Sequence, residues 1–156
     1  MHYSYRTATK ILPGIRLAVS DDGTRFTKPG TEVLSVGPQG TFDSWYIEWH
    51  QLSKIGAEYV ELYEAYDGKN WSIGMACSRN PAGDFTKSAM NPVFQRSGVD
   101  GSFDEVHVAT PAMYRINGRW LLFYVGANLI SSHASSYSYS HWDMGIAELC
   151  PPRLCA

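Results

Sequence analysis

Charge of either sign is scarce in this chain. Over 156 residues, 13 lysines and arginines face 15 acidic residues, for a formal net charge of −2. With no basic cluster, the electrostatic footprint that nucleic-acid binding needs is missing, and no nucleic-acid partner is expected. Long apolar runs are missing too. The longest uncharged apolar stretch, Trp120 to Ile130, is far shorter than the roughly 20 residues of a spanning helix, so no membrane partner is expected. The opening Met1-His2-Tyr3-Ser4-Tyr5-Arg6 has neither the charged start nor the apolar core of a signal peptide. As written the chain reads as cytoplasmic, with export open if a leader has been removed. The three cysteines, Cys77, Cys150 and Cys155, are too few for a disulfide framework and lack zinc-ligand spacing; no metal and no cofactor is implied. Cys77 reads as a small buried hydrophobe. Cys150 and Cys155, flanking Pro151-Pro152, read as free thiols or as a pair in an oxidising compartment. Sustained helical periodicity is absent as well. What remains is 44% hydrophobic and 13% aromatic, enough for one domain with a real core.

The positive signal is repetition. Gly40-Thr41-Phe42-Asp43 recurs as Gly101-Ser102-Phe103-Asp104, and the same 61-residue offset carries Leu52 to Met113, Tyr59 to Trp120 and Tyr63 to Tyr124. Trp71-Ser72-Ile73-Gly74-Met75-Ala76 then matches Trp142-Asp143-Met144-Gly145-Ile146-Ala147 at an offset of 71, which places a ten-residue insertion within Asn128 to His141. A third copy lies upstream: Ile15 to Ser20 aligns with Ile73 to Ser78, and Phe26-Thr27-Lys28 with Phe85-Thr86-Lys87. Ordered matches at nearly one period mark a repeat architecture.

Each unit reads as strands. Tyr59–Tyr63 and Trp120–Tyr124 are aromatic and branched at strand length. Asp22-Gly23, Asp67-Gly68 and Asn117-Gly118 are hairpin signals, because these residues accept positive φ. The middle unit is predicted as a four-stranded meander over Ser44–Ser53, Glu58–Ala65, Trp71–Ser78 and Asp84–Phe94. A period of about sixty with four antiparallel strands is the pattern of a β-propeller blade. The expected organisation is all-β: a partial blade over 1–37, a complete blade over 38–97, a partial blade over 98–149 and a tail over 150–156. Propellers close with four to eight blades. A chain with two to two and a half blades is an incomplete propeller, and its bare flanks are expected to be completed or covered by homo-oligomerisation.

The run from Tyr66-Asp67-Gly68 through Phe85-Thr86-Lys87 and Asn91-Pro92-Val93-Phe94, continuing with Gly101-Ser102-Phe103-Asp104, Pro111-Ala112-Met113 and Asn117 to Tyr124, resembles the five-bladed propeller glycosidases. These are the arabinanase, β-xylosidase, invertase and levansucrase relatives of glycoside hydrolase families 32, 43 and 68. The resemblance implies cleavage of a glycosidic bond by paired carboxyl groups, with an oligosaccharide as partner. Of the three acids it implies, the first-blade Asp has no counterpart, and the Asp of an inner-strand Asp-Pro pair is replaced by Thr110 before Pro111. The acid, a Glu two residues before an inner-strand proline, is replaced by Ala109; 61 residues earlier the equivalent place holds Glu48.

Glu48 is therefore the candidate catalytic acid, its alternative a strand-surface glutamate or local ion pair. Tyr46, His50, His107 and Thr110 are the candidate substrate-binding residues, with an ordinary strand histidine as the alternative for both histidines. Alternation places Trp45, Ile47 and Trp49 on one face, with the tryptophans in the core, and Tyr46, Glu48 and His50 on the other. Asp43 and Asp104, present in both units, are expected to cap turns through nearby backbone N–H groups. The Ser/Tyr-rich insertion reads as a solvated loop or a recognition loop for polar ligands. Three functions follow: a saccharide-binding protein that kept the scaffold and lost catalysis, a glycoside hydrolase active only as an oligomer, or a truncated scaffold acting as an interaction module.

Overall fold

The computed structural model describes residues 1–8, 14–83, 85–129 and 139–149. Among them run β1 (His2–Ser4), β2 (Gly14–Leu17), β3 (Glu32–Ser35), β4 (Tyr46–Ile55), β5 (Glu58–Tyr66), β6 (Trp71–Ser78), β7 (Thr86–Lys87), β8 (His107–Ile116), β9 (Arg119–Leu129) and β10 (Tyr139–Leu149), with no helix. They form three antiparallel meanders: β1-β2-β3, β4-β5-β6-β7 and β8-β9-β10. Most of the insertion and the proline-flanked cysteines fall outside the described residues.

Turn chemistry sets the hairpins. Asn117 and Gly118 both take positive φ (50° and 81°) and join Ile116 to its partner Arg119, the two-residue loop whose twist suits a hairpin. Asp67 Oδ1 accepts the backbone N–H of Lys69 and Asn70, both at 2.7 Å, and closes the β5–β6 turn.

The second sheet is buried on both faces, so β5 reads as an unbroken buried run from Val60 to Ala65. Val60 and Leu62 join Ile73, Met75, Val108, Met113 and Leu122 in a core against the third sheet. Tyr63 and Ala65 join Ile15, Leu17, Val33, Leu34 and Ile47 in a core against the first. Each such buried branched side chain contributes about 1.5–3 kcal/mol. Sheets packed side by side in this way leave β4 against β8, where the Gln51 side-chain amide donates to Met113 O and accepts from Met113 N–H.

The repeat has a structural centre. Tyr63 and Tyr124 each direct a hydroxyl to an aspartate, Asp43 and Asp104, 61 residues apart like the tyrosines. Each ring lies on a glycine: a Cβ at Gly74 or at Gly145 would sit 2.4 Å from the ring's Cζ. The aspartates were expected to hold backbone N–H groups; Asp104 holds its own, and both hold chiefly side chains, Asp43 taking Thr41 Oγ1, Lys87 Nζ and Tyr63, Asp104 taking Ser102 Oγ and Tyr124. Burial comes first in raising both phenols, helped by the aspartates, and Tyr124 is pushed up to about 12.

Three local expectations are corrected. The fourth strand of the middle unit, expected over Asp84–Phe94, shrinks to Thr86–Lys87 and a single Ile73–Phe94 bridge. Pro92 has no N–H for a ladder, and the Asn91 side chain substitutes, accepting from Met75 N–H at 2.8 Å and donating to Met75 O at 2.9 Å. Strand β4 runs two residues beyond its expected end, because Gly56 at φ 62° turns the chain only after Ile55. Trp45 and Trp49, expected in the core, are 57% and 61% exposed, while Ile47 between them is fully buried. Cys77 is buried in the core as expected, but it is also disulfide-bonded, which was not expected.

Candidate functional site

Alternation along β4 fails at one place. Ile47 pairs with Ala65, but the next paired residue is His50, opposite Tyr63, so Glu48 and Trp49 form a β-bulge. Strand β8 bulges at Thr110 and Pro111, between the paired residues Ala109 and Ala112. A bulge inserts one residue and re-aims the side chains beyond it. The expected common face of Tyr46, Glu48 and His50 is therefore split. Tyr46 stacks on Tyr66 and Trp71 on the side of the third sheet, whereas His50 Nδ1 lies 2.6 Å from Glu61 Oε1 on the side of the first. The 61-residue offset holds on both sides of the bulges, Ile47–Ala65 corresponding to Val108–Gly126 and Gln51–Leu62 to Ala112–Phe123, so Ala109 stands at the place of Glu48 and the bulge of β8 lies one residue further along its strand.

These two bulges adjoin. The Thr110 backbone N–H donates to Glu64 Oε2 at 2.6 Å, across the interface between the second and third sheets. Thr110 itself is exposed and sits at φ 52°, a conformation a β-branched residue rarely takes. Glu64 is almost fully buried. Burial, the largest effect, together with the negative charge of Glu48, overcomes the Thr110 hydrogen bonds and pushes its carboxyl up to about 7. Burial raises the Glu48 carboxyl as well, with the Arg6 charge acting in the opposite direction. Two carboxyl groups thus share a partly desolvated setting in which one stays protonated close to neutrality, the condition for acid–base work.

Aromatic rings border this pair. Tyr46, Tyr66 and Trp71 are directly opposite one another across β4, β5 and β6. Tyr66 and Trp71 stack at 4.7 Å, and Trp45 meets Tyr46 and Tyr66 edge-on at 6.2 and 6.3 Å. Trp45 is the exposed end of the cluster, and Gly68 lies against its ring, where a Cβ would sit 3.1 Å from Cε2. His107 belongs to the packing of this cluster. It is 4% exposed, its Nδ1 accepts the Trp71 backbone N–H at 3.2 Å, and its ring lies parallel to Trp142 at 6.4 Å. Burial, then the Arg96 charge, lowers its pKa, so it is a neutral imidazole carrying its proton on Nε2.

A second polar cluster lies between the first and second sheets. Glu61 is fully buried, with His2 Nδ1 at 2.9 Å on one oxygen and His50 on the other. His2 Nε2 contacts Pro81 O at 2.6 Å. Both partners of the His2 ring are acceptors, so both of its nitrogens carry protons and the ring is an imidazolium. Burial, the largest effect, lowers the His2 pKa, but the Glu61 hydrogen bond and charge raise it above its ordinary value.

The candidate residues therefore divide. Thr110 bonds Glu64, on which the charge of Glu48 also acts, Tyr46 belongs to the aromatic cluster that His107 supports, and His50 joins a different group. Glu61, Glu64, Tyr66 and Trp71 escaped the sequence reading. Their signal was available: at the 61-residue offset Glu61 and Glu64 fall on Leu122 and Val125, so both carboxylates stand where the repeat accepts aliphatic side chains. Among the described residues no group of three or more His, Cys, Asp or Glu could hold a metal ion.

No protein-family model matches the sequence, and no curated protein matches it. Solved structures do. The chain superposes on a family 117 glycoside hydrolase of the marine bacterium Zobellia galactanivorans with a TM-score of 0.70 at 18% identity, over 89% of this chain and 39% of that one. A thermostable family-43 glycoside hydrolase gives 0.64 at 19% identity, over 92% and 47%. A Bombyx mori family 32 β-fructofuranosidase, solved with sucrose, gives 0.59 at 16% identity, over 94% and 29%. The fold is that of the propeller glycoside hydrolases, and the chain spans less than half the length of each of these proteins.

Proposed function

We propose that the chain binds oligosaccharide on the surface formed where the bulges of β4 and β8 meet the Trp45 aromatic cluster. The observation that carries this reading is Trp45, 57% exposed yet held edge-on by Tyr46 and Tyr66. A fixed, exposed indole face beside carboxyl groups suits a sugar ring, apolar on one face and hydroxylated at its rim. Carbohydrate chemistry is also what the structural neighbours' names describe. Titration calorimetry against arabinan, xylan and fructan oligosaccharides tests it. At least one should bind, and Trp45→Ala should weaken it about tenfold, the loss of one good stacking contact. Absence of binding to all three classes at millimolar sugar, or unchanged affinity in Trp45→Ala, would refute the reading.

A second reading, glycoside hydrolysis, rests on Glu64, whose carboxyl lies near pH 7 and beside Glu48. In that reading Glu64 holds the proton and Glu48 is the partner carboxylate. Reducing-sugar release from the same panel distinguishes the two, and any activity should vanish in Glu48→Gln.

A further inference from the structure

The repeat supplies an internal standard for which faces of the sheets are meant to be covered. In the second sheet, Leu62, Ile73 and Met75 face the third sheet and are no more than 2% exposed. Their counterparts in the third sheet are Phe123, Met144 and Ile146. Met144 and Ile146 are 74% and 61% exposed, and Trp142, the counterpart of Trp71, is 47% exposed. The ladder puts Ala112, Phe123 and Ile146 in one row, so Tyr114 (52%) and Ile116 (42%) extend the same face. The paired charges of Arg119 and Glu148 mark its margin. The face therefore has the side chains of an internal interface, yet Met144 and Ile146 at its centre are exposed where their counterparts are buried.

The outward face of the first sheet is of the opposite character. Arg16 lies over the Tyr5 ring at 3.7 Å, Lys28 over the Tyr3 ring at 4.8 Å, and Tyr5 donates its hydroxyl to Glu32. Head-to-tail stacking of copies would bury the charged groups of Arg16, Lys28 and Glu32 against the apolar Met144 and Ile146, which offer them no hydrogen bonds in place of water, a cost in desolvation. Face-to-face stacking meets no such cost.

We propose that the outward face of the third sheet is a self-association surface, through which two copies of this chain pair about a two-fold axis. The five exposed side chains offer on the order of 550 Å² per copy, taking about 200 Å² for each full side chain. Two copies then bury about 1,100 Å², above the roughly 1,000 Å² expected of a specific interface. An isologous contact uses the face on both partners and closes at two, so association stops there. This pairing is independent of saccharide binding.

Sedimentation equilibrium on the full chain at tens of micromolar tests it. The mass should be that of two chains, with no larger species. Met144→Lys and, separately, Ile146→Lys should each raise the dissociation constant at least about 30-fold, the loss common at a central interface position. Both side chains are exposed in one copy, so circular dichroism should show an intact fold for each. Arg16→Ala should leave the dimer unchanged. A single-chain mass, species larger than two, indifference to both lysine variants, or loss of association in Arg16→Ala would each overturn the proposal.

Discussion

Glu64 links the stability of the fold to the chemistry of the site, and one substitution measures the link. Its carboxyl moves from 4.5 to about 7 on folding, so between those pH values the folded protein holds a proton that the unfolded chain has released. Stability then falls with rising pH across that interval and levels off above it. A shift of about 2.5 units corresponds to roughly 3 kcal/mol at 1.36 kcal/mol per unit. Glu64→Gln keeps an oxygen to accept the Thr110 N–H and removes the ionisation. The stability of Glu64→Gln relative to wild type should therefore rise by about 3 kcal/mol from below pH 4.5 to above pH 7. Urea unfolding of both proteins at pH 4, 6 and 8 measures this. Taking the difference between the two cancels the pH dependence of the remaining groups, His2 and Glu61 included. A difference that stays constant with pH would refute the assignment of a desolvated, protonated carboxyl. An opposite slope would mean that the Thr110 hydrogen bonds dominate and Glu64 is ionised.

Three further substitutions examine the packing and the buried polar cluster. Gly74→Ala and Gly145→Ala each place a methyl 2.4 Å from a buried tyrosine ring and should each cost about 1–3 kcal/mol in urea unfolding, as overpacking does; equal costs would show the two sheets to be mechanically equivalent, and no cost in either would contradict the packing. Glu61→Gln should cost about 3 kcal/mol, because it leaves the buried His2 imidazolium without its carboxylate. The raised His2 pKa contributes stability that is complete below 6.5 and lost as pH rises through the folded value, while the lowered Glu61 pKa contributes stability present above 4.5 and lost as pH falls through its folded value. The cost measured by thermal melts should accordingly be largest between pH 4.5 and 6.5, and a cost that grows towards pH 9 would count against the ion pair.

Much of the fold was legible because the repeat and the turn residues constrain it from two directions. The offset of 61 that carries Asp43 to Asp104 and Tyr63 to Tyr124 corresponds to real structural equivalence, down to the glycines beneath the rings. Asn117-Gly118 closed its hairpin as its chemistry requires. What could not be read was any feature depending on a single inserted residue. Strict alternation grouped Tyr46, Glu48 and His50, and one bulged residue sent His50 to Glu61 on the opposite face of the sheet. The same bulge holds Trp49, which is exposed, and Trp45, which precedes β4, is exposed as well, although their common face was expected to pack between sheets. A bulge has no compositional signature in Ile47-Glu48-Trp49-His50, because it comes from the pairing partner as much as from the strand itself.

The repeat also separates what the architecture requires from what it merely accommodates. Where two units carry the same residue in the same contact, as with the tyrosine, aspartate and glycine of each sheet, the contact belongs to the blade. Where they differ, the third sheet acts as a control already made. It forms its meander with Leu122 and Val125 in the places of Glu61 and Glu64, so a sheet of this design has no need of a carboxylate at either. A buried ion pair is often no more stabilising than aliphatic side chains of similar volume, and a desolvated glutamate lying near pH 7 is costlier still when ionised. Glu64 is held there by a neighbour, Thr110, in an unfavourable backbone conformation of its own. Two locally unfavourable features meet there at one hydrogen bond, on the side of the sheet that also carries the Trp45 cluster, which supports the proposal of a binding surface at that interface.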